Sequence, residues 1–221
     1  MCTKFYVDWT DPRMKRFSDR AMKSVLLPRF HSKMAVRLQD AGEAVPKQLV
    51  MTLAPDKDKN QRVYVMRWGF NLDDELHETY TARTEGIDKD LRYKDDFRTH
   101  RCIIPASYFI DRQHRKTNDG SVVIGKEYII QPSGLDHTYM CGIYRIENGL
   151  PCCIILTRAA EGEYAEKMHD RIPLILPDIF IDDWIHPDTN PKDFLSWVIT
   201  DLVFDEYDLP KEPPNQYNSF L

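Results

Sequence analysis

The sequence predicts an α+β protein: a strongly curved, barrel-like, mostly antiparallel β-sheet with short peripheral helices. Three observations predict it. Strand-like stretches are many and short, and isolated helices interrupt them without regular alternation. Turn signals at Ser133-Gly134 and Asn148-Gly149 separate neighbouring strands and mark hairpins. No repeat or clear linker divides the 221 residues, so one domain over 1–221 is expected, long enough to bury a core.

The elements follow in order. Met14, Phe17, Ala21 and Met22, with Pro12 in the first turn, predict a helix over 12–24 that Leu26-Leu27-Pro28 ends. No period is legible from Phe30 to Lys47. Gln48–Leu53 and Arg62–Phe70 predict a hairpin across the charged turn 56–61. Thr79–Glu85 is short and mixed, a strand or a loop, and Tyr93–His100 a short helix. Strand segments follow at 102–105 and 107–111, bent at Pro105, and 113–125 reads as a polar loop. Three more strands lie at 127–131, 138–146 and 152–157, then a helix at 159–168 and a strand at 172–176. Short helices near 178–185 and 191–198 and a strand at 201–207 precede an irregular Pro- and Asn-containing end.

Composition narrows the class. Hydrophobic content of 42% and charged content of 29% are those of an ordinary globular protein. No apolar run reaches membrane-spanning length and the start does not read as a signal peptide, so no membrane association is expected. Five cysteines without CxxC spacing argue for a reducing, cytoplasmic compartment and against a disulfide framework or metal site. Cys102, Cys141, Cys152 and Cys153 lie in apolar stretches and read as small core residues. The net charge of −5 disfavours nucleic acid on its face. The distribution is lopsided, however, with basic residues crowding the first forty positions and acidic ones the stretch after Asp178.

Four islands place polar, titratable residues beside strand ends. The first is Met1-Cys2-Thr3-Lys4. With the methionine removed, Cys2 would carry a thiol and an α-amine on neighbouring carbons, with pKa values of about 8.5 and about 7.7–8.0. Such a 1,2-aminothiol closes a thiazolidine ring on an aldehyde, or acts as a nucleophile with its own amine as base. The others are Thr81–Glu85, Arg101–Ala106 leading to Asp111, and His169-Asp170-Arg171-Ile172-Pro173. Singly, none decides: Cys2 reads equally as a chance residue in a frayed terminus, His169 as a packing residue, and Arg83 with Glu85 as a surface pair.

Together and in this order, Met1-Cys2, Trp68-Gly69, Ala82-Arg83-Thr84-Glu85, Arg101–Ala106 and His169–Pro173 resemble the motifs of the SRAP (SOS response-associated peptidase) family, over about residues 1–176. The resemblance implies a sensor and shield of abasic sites in single-stranded DNA, a nucleoid-associated monomer without cofactor. Cys2 would form a Schiff base with the sugar aldehyde and then a thiazolidine crosslink. Asp111 would open the sugar and shuttle protons, His169 would act as acid–base or phosphate partner, and Thr81 would orient the amine. Lys4, Arg83, Arg171 and Thr157 would hold the DNA on a basic cleft, and Trp68 would stack a base. Thr81 and Asp111 depart from the family's Asn and Glu, Lys4 from its Arg and Arg112 from its Trp. The other readings are an autoproteolytic thiol peptidase using Cys2, and a single-stranded-DNA-binding module that has lost crosslinking.

Overall fold

The computed structural model describes residues 4–8, 10–34, 38–71, 75–116, 119 and 121–207. Its elements begin with β1 (Lys4–Val7), α1 (Pro12–Ala21), α2 (Leu27–Met34), β2 (Gly42–Ala44), β3 (Leu49–Pro55), β4 (Gln61–Trp68) and β5 (Thr81–Arg83). Helix α3 (Lys94–Thr99) leads into β6 (Arg101–Ala106), β7 (Tyr108–Lys116), β8 (Val122–Pro132), β9 (Thr138–Glu147) and β10 (Leu150–Ala159). Then come α4 (Gly162–Lys167), β11 (Arg171–Pro173), α5 (Ile181–Ile185) and β12 (Leu202–Glu206).

Five strands close into a ring. β4 pairs with β3, β3 with β6, β6 with β9 and β9 with β10, all antiparallel; β10 then returns to β4 in parallel. Closure removes the exposed edges that an open sheet presents. β3, β6 and most of β10 are buried, which explains their continuous apolar runs. At Gly142 in β9 the walls come so close that a Cβ would lie 2.5 Å from Ile104 Cδ1 and 2.7 Å from the Ile154 carbonyl oxygen. The expected curved, barrel-like, mostly antiparallel architecture is therefore present. Beside it lies a five-stranded sheet ordered β12-β8-β7-β1-β2.

The way β10 continues past the ring sets up the site. β4 stops at Trp68, and Gly69 takes φ +133, where a Cβ would meet the Tyr80 ring at 3.1 Å. The chain leaves the sheet and re-enters as β5, parallel to β10 with Thr81 opposite Ile155 and Arg83 opposite Thr157. β11 pairs with the same end of β10, Thr157 opposite Pro173 and Ala159 opposite Arg171. Residues 81–83 and 171–173 are thus brought together by one strand.

Arg101 opens β6 and is fully buried. Its guanidinium donates to backbone carbonyls of Trp184 (2.5 Å), Phe97 (3.2 Å), Arg98, His186 and Thr189 (3.2 Å), tying α3 and α5 to the barrel. Burial lowers its pKa to about 10, so it keeps its charge at neutral pH.

Four local expectations are corrected. The expected loop at 113–125 is mostly the arms of the β7–β8 hairpin, formed because Val122-Val123-Ile124 supplies β-branched strand formers even though they stay exposed. Pro28 does not end a helix but sits in the first turn of α2, where its missing N–H costs nothing. β2 was not legible because three residues carry no period. The helix expected at 159–168 covers only 162–167, since Ala159 still belongs to β10. Cys102, Cys141, Cys152 and Cys153 are buried as expected. Among the described residues no helix is long and apolar enough to cross a membrane.

Candidate functional site

β1 runs between β2 and β7, with Lys4 opposite Ile110. The next residue of β7, Asp111, is buried and accepts hydrogen bonds from three described residues. Tyr164 Oη donates to Oδ2 at 2.8 Å, His169 Nε2 bonds the same oxygen at 2.9 Å, and the Arg112 N–H donates to Oδ1 at 2.9 Å. Burial alone would push the Asp111 carboxyl up, but the His169 and Tyr164 hydrogen bonds outweigh it and hold it below the usual range. The Arg171 N–H donates to His169 Nδ1 at 3.1 Å, which makes Nε2 the proton-bearing nitrogen that donates to Asp111. Tyr164 is positioned by α4, and the chain turns directly after that helix to deliver His169.

Asp111 opens onto a cavity of about 510 Å³ whose wall includes Lys4, Glu43, Arg112, His114 and Glu127. Lys4 Nζ lies 3.2 Å from Glu127 and 3.8 Å from Glu43, and 5.3 Å from the centre of the Tyr207 ring. Arg112 Nε pairs with Glu127 at 2.7 Å. Burial would raise the Glu127 carboxyl, but Arg112 and Lys4 overcome this and hold it low. Tyr207 is bonded to two residues of that wall, donating its hydroxyl to Glu43 and its N–H to the Glu127 carbonyl at 2.9 Å.

A second hollow of about 310 Å³ is lined by Thr79, Thr81, Arg83, Thr157 and Arg171 among others. Arg171 is committed there: Nη1 and Nη2 each donate to Glu85 at 2.9 Å, and Nη2 donates to the Thr157 carbonyl at 2.8 Å. Glu85 also accepts from the Ala159 N–H at 2.6 Å. Despite burial that would raise it, these contacts pull its pKa to about 2.

The expected residues therefore sort unevenly. Asp111 and His169 touch, with Lys4 on the same cavity; Thr81, Arg83, Thr157 and Arg171 share the neighbouring hollow. Cys2 lies outside the described residues. Trp68 is corrected: it is buried, packs on Phe5 at 5.2 Å and donates its indole N–H to the Tyr80 carbonyl at 2.9 Å, so no face of the ring is offered to a base. Thr157 is buried as a whole, lines the second hollow, and its carbonyl also accepts from the Thr84 N–H at 2.9 Å. Lys4 and Arg171, two of the cations expected on a basic cleft, each face carboxylates. Arg83 differs: it is exposed, and no carboxylate among the described residues pairs with it. Sequence reasoning missed Tyr164, His114, Glu43 and Glu127. A tyrosine inside a short helix and a histidine inside an apparent loop carry no spacing signal.

A small closed barrel flanked by a second sheet, with a buried carboxylate–imidazole–phenol cluster facing a cavity, defines a β-barrel protein with a titratable cluster on a cavity. The chain belongs to the SRAP family: the family described as SOS response associated peptidase (SRAP) matches residues 1–208. Similar proteins include the abasic site processing protein YoqW of Bacillus subtilis (strain 168), 29% identical over 161 residues and 68% of each chain. YobE of the same organism, also named an abasic site processing protein, is 28% identical over 174 residues, 74% of this chain and 75% of that one. Among solved structures, a Bacteroides thetaiotaomicron protein matches with TM-score 0.67 at 16% identity, over 94% of this chain and 92% of that one. A phage-related protein from Bordetella bronchiseptica matches with TM-score 0.63 at 18% identity, over 76% and 82%. Identities this low speak for the fold alone.

Proposed function

We propose that this protein recognises abasic sites in single-stranded DNA and crosslinks to them through Cys2. Family membership and the names of its relatives support the substrate class. The observation that carries the reading is the Asp111–His169–Tyr164 cluster on a cavity whose rim holds Lys4. Lys4, which lines that cavity, follows Cys2 by two residues in the sequence.

The chemistry balances with this chain's own groups. The ring-opened sugar presents an aldehyde. The Cys2 α-amine adds to it, the carbinolamine hydroxyl takes up a proton and leaves as water, and an iminium forms. The Cys2 sulfur then adds to the iminium carbon, the thiol proton departs, and a thiazolidine is left. Asp111, held as a carboxylate, stabilises the cationic iminium beside it. His169 fixes that carboxylate from behind. Thr81 and Arg83 on the adjoining hollow hold the sugar–phosphate chain that runs on from the reacting sugar.

The test is adduct formation between protein beginning at Cys2 and a single-stranded oligonucleotide carrying one abasic site. A heat-stable adduct that Cys2→Ala abolishes is expected. An adduct that forms equally well with Met1 retained would refute the aminothiol mechanism, since the α-amine is then no longer beside the thiol.

A further inference from the structure

We infer that His114 is a catalytic proton carrier of this site, acting directly on the reacting groups while Asp111 and His169 hold the wall. The inference rests on the crosslinking reading above.

The first observation is that His169 has no nitrogen to spare. Nε2 bonds Asp111 at 2.9 Å and Nδ1 accepts the Arg171 N–H at 3.1 Å, and the residue is buried. It cannot exchange a proton with a substrate without breaking one of these bonds. Asp111 is similarly occupied: it accepts hydrogen bonds from three described residues and is held in its charged form, so it has no proton to give near neutral pH. The groups expected to move protons are the ones the fold has immobilised.

His114 is the opposite case. It is exposed and lines the cavity with Lys4 and Asp111. Its ring stands 5.0 Å from that of His169, and among the described residues none hydrogen-bonds its ring nitrogens. Its backbone is fixed, the N–H donating to the Met168 carbonyl at 2.9 Å. Between Arg112 and His114 the β7–β8 register slips, with Gly125 and Lys126 of β8 opposite the single residue Gln113. Such a bulge adds twist and re-aims side chains beside a site. Gly125 is needed for it, because a Cβ there would lie 2.9 Å from Gln113 Cβ.

The surroundings favour the neutral imidazole. His169 and Asp170 face His114 from the segment after α4, Asp111 and Arg112 from its own strand, and Lys4, Glu43 and Glu127 from β1, β2 and β8. Burial first holds the His114 pKa below the usual 6.5 in spite of Asp111 and Asp170. At neutral pH His114 is thus a base. It takes the proton of the Cys2 α-ammonium and releases the nucleophilic amine. The resulting imidazolium returns that proton to the carbinolamine hydroxyl, which leaves as water while the C=N bond forms. When sulfur adds, His114 takes the thiol proton and passes it to solvent.

The experiment is single-turnover crosslinking by protein beginning at Cys2 at saturating abasic-site oligonucleotide, from pH 5 to 8. His114→Gln is expected to bind the oligonucleotide as tightly as the parent but to crosslink on the order of a hundredfold slower. Its rate should lose the acidic limb that His114 protonation imposes below pH about 6.5. Added imidazole should accelerate His114→Ala. A His114→Gln variant matching the parent in rate and pH profile overturns the inference, as does a loss that imidazole does not relieve. A parent that forms no adduct refutes the crosslinking reading itself.

Discussion

Arg171 and Glu85 meet through two parallel contacts of 2.9 Å, a bidentate pair that locks β11 against the end of β5. A group expected to hold a phosphate is here a strut of the fold. Glu85 has a folded pKa of about 2 against an ordinary 4.5, so the pair stabilises the protein above pH about 4.5. That contribution is lost as pH falls towards 2. The Glu85 side chain is half exposed, which screens the pair and keeps its contribution to about 1 kcal/mol or less. Denaturant midpoints of parent and Glu85→Gln, measured from pH 6 down, should differ at the top of that range and converge at the bottom. A difference that grows on acidification would contradict the assignment.

Trp68 should report on the core and not on DNA. Trp68→Ala is expected to cost about 3–5 kcal/mol in unfolding free energy. Trp68→Phe, which keeps a ring against Phe5 and loses the hydrogen bond to Tyr80, should fold and bind single-stranded DNA as the parent does. A folded Trp68→Phe with strongly weakened affinity would restore the stacking role.

Salt dependence should separate the two cations. Arg83→Gln is expected to lower the slope of log affinity against log salt by about one, because one phosphate contact is lost. Lys4→Gln, whose ammonium already faces Glu127 and Glu43, should leave that slope nearly unchanged. Equal slopes for the two variants would place both residues on phosphates.

Asp111→Asn sets an amide against two donors, Tyr164 O–H and His169 N–H. The variant should lose about 1–3 kcal/mol of stability and most of the crosslinking rate. Single-turnover kinetics at saturating DNA isolates that rate from binding. A variant that crosslinks as fast as the parent would remove Asp111 from the chemistry.

Arg101→Met should lower the melting temperature sharply. It leaves the carbonyls of Trp184, Phe97 and Thr189 unpaired in the interior, each costing about 1–3 kcal/mol. The affinity of the folded fraction for single-stranded DNA should not change, because Arg101 reaches no surface.

What was legible in the sequence was whatever has a period or a motif. β3, β6 and β10 announced themselves as apolar runs because they are buried along most of their length. The order of Arg83, Asp111 and His169 was legible because each lies in, or is led to by, a motif that resembles the SRAP family's. What the sequence could not show was pairing. Lys4, Arg171 and Arg83 look alike in one dimension, and only the fold brings Glu127 to the first and Glu85 to the second. Trp68 beside Gly69 reads as a base-stacking ring until the Gly69 turn carries the chain round to Tyr80 and covers the ring. Tyr164 and His114 were invisible because their roles depend on a one-turn helix and a register slip, neither of which leaves a repeat.

The parallel contact between β4 and β10 sets an order of events during synthesis. Arg67 and Trp68 acquire their second neighbours only when Cys152 and Cys153 have been made. Until then β3 and β4 stand as a hairpin with one apolar edge bare. At about 5–20 residues per second, that edge waits several seconds on the ribosome. The nascent chain is most prone to sticking to its neighbours in this interval, and ring closure ends it in one cooperative step. Substitutions that weaken the Cys152–Cys153 stretch should therefore reduce soluble yield more than their effect on equilibrium stability accounts for.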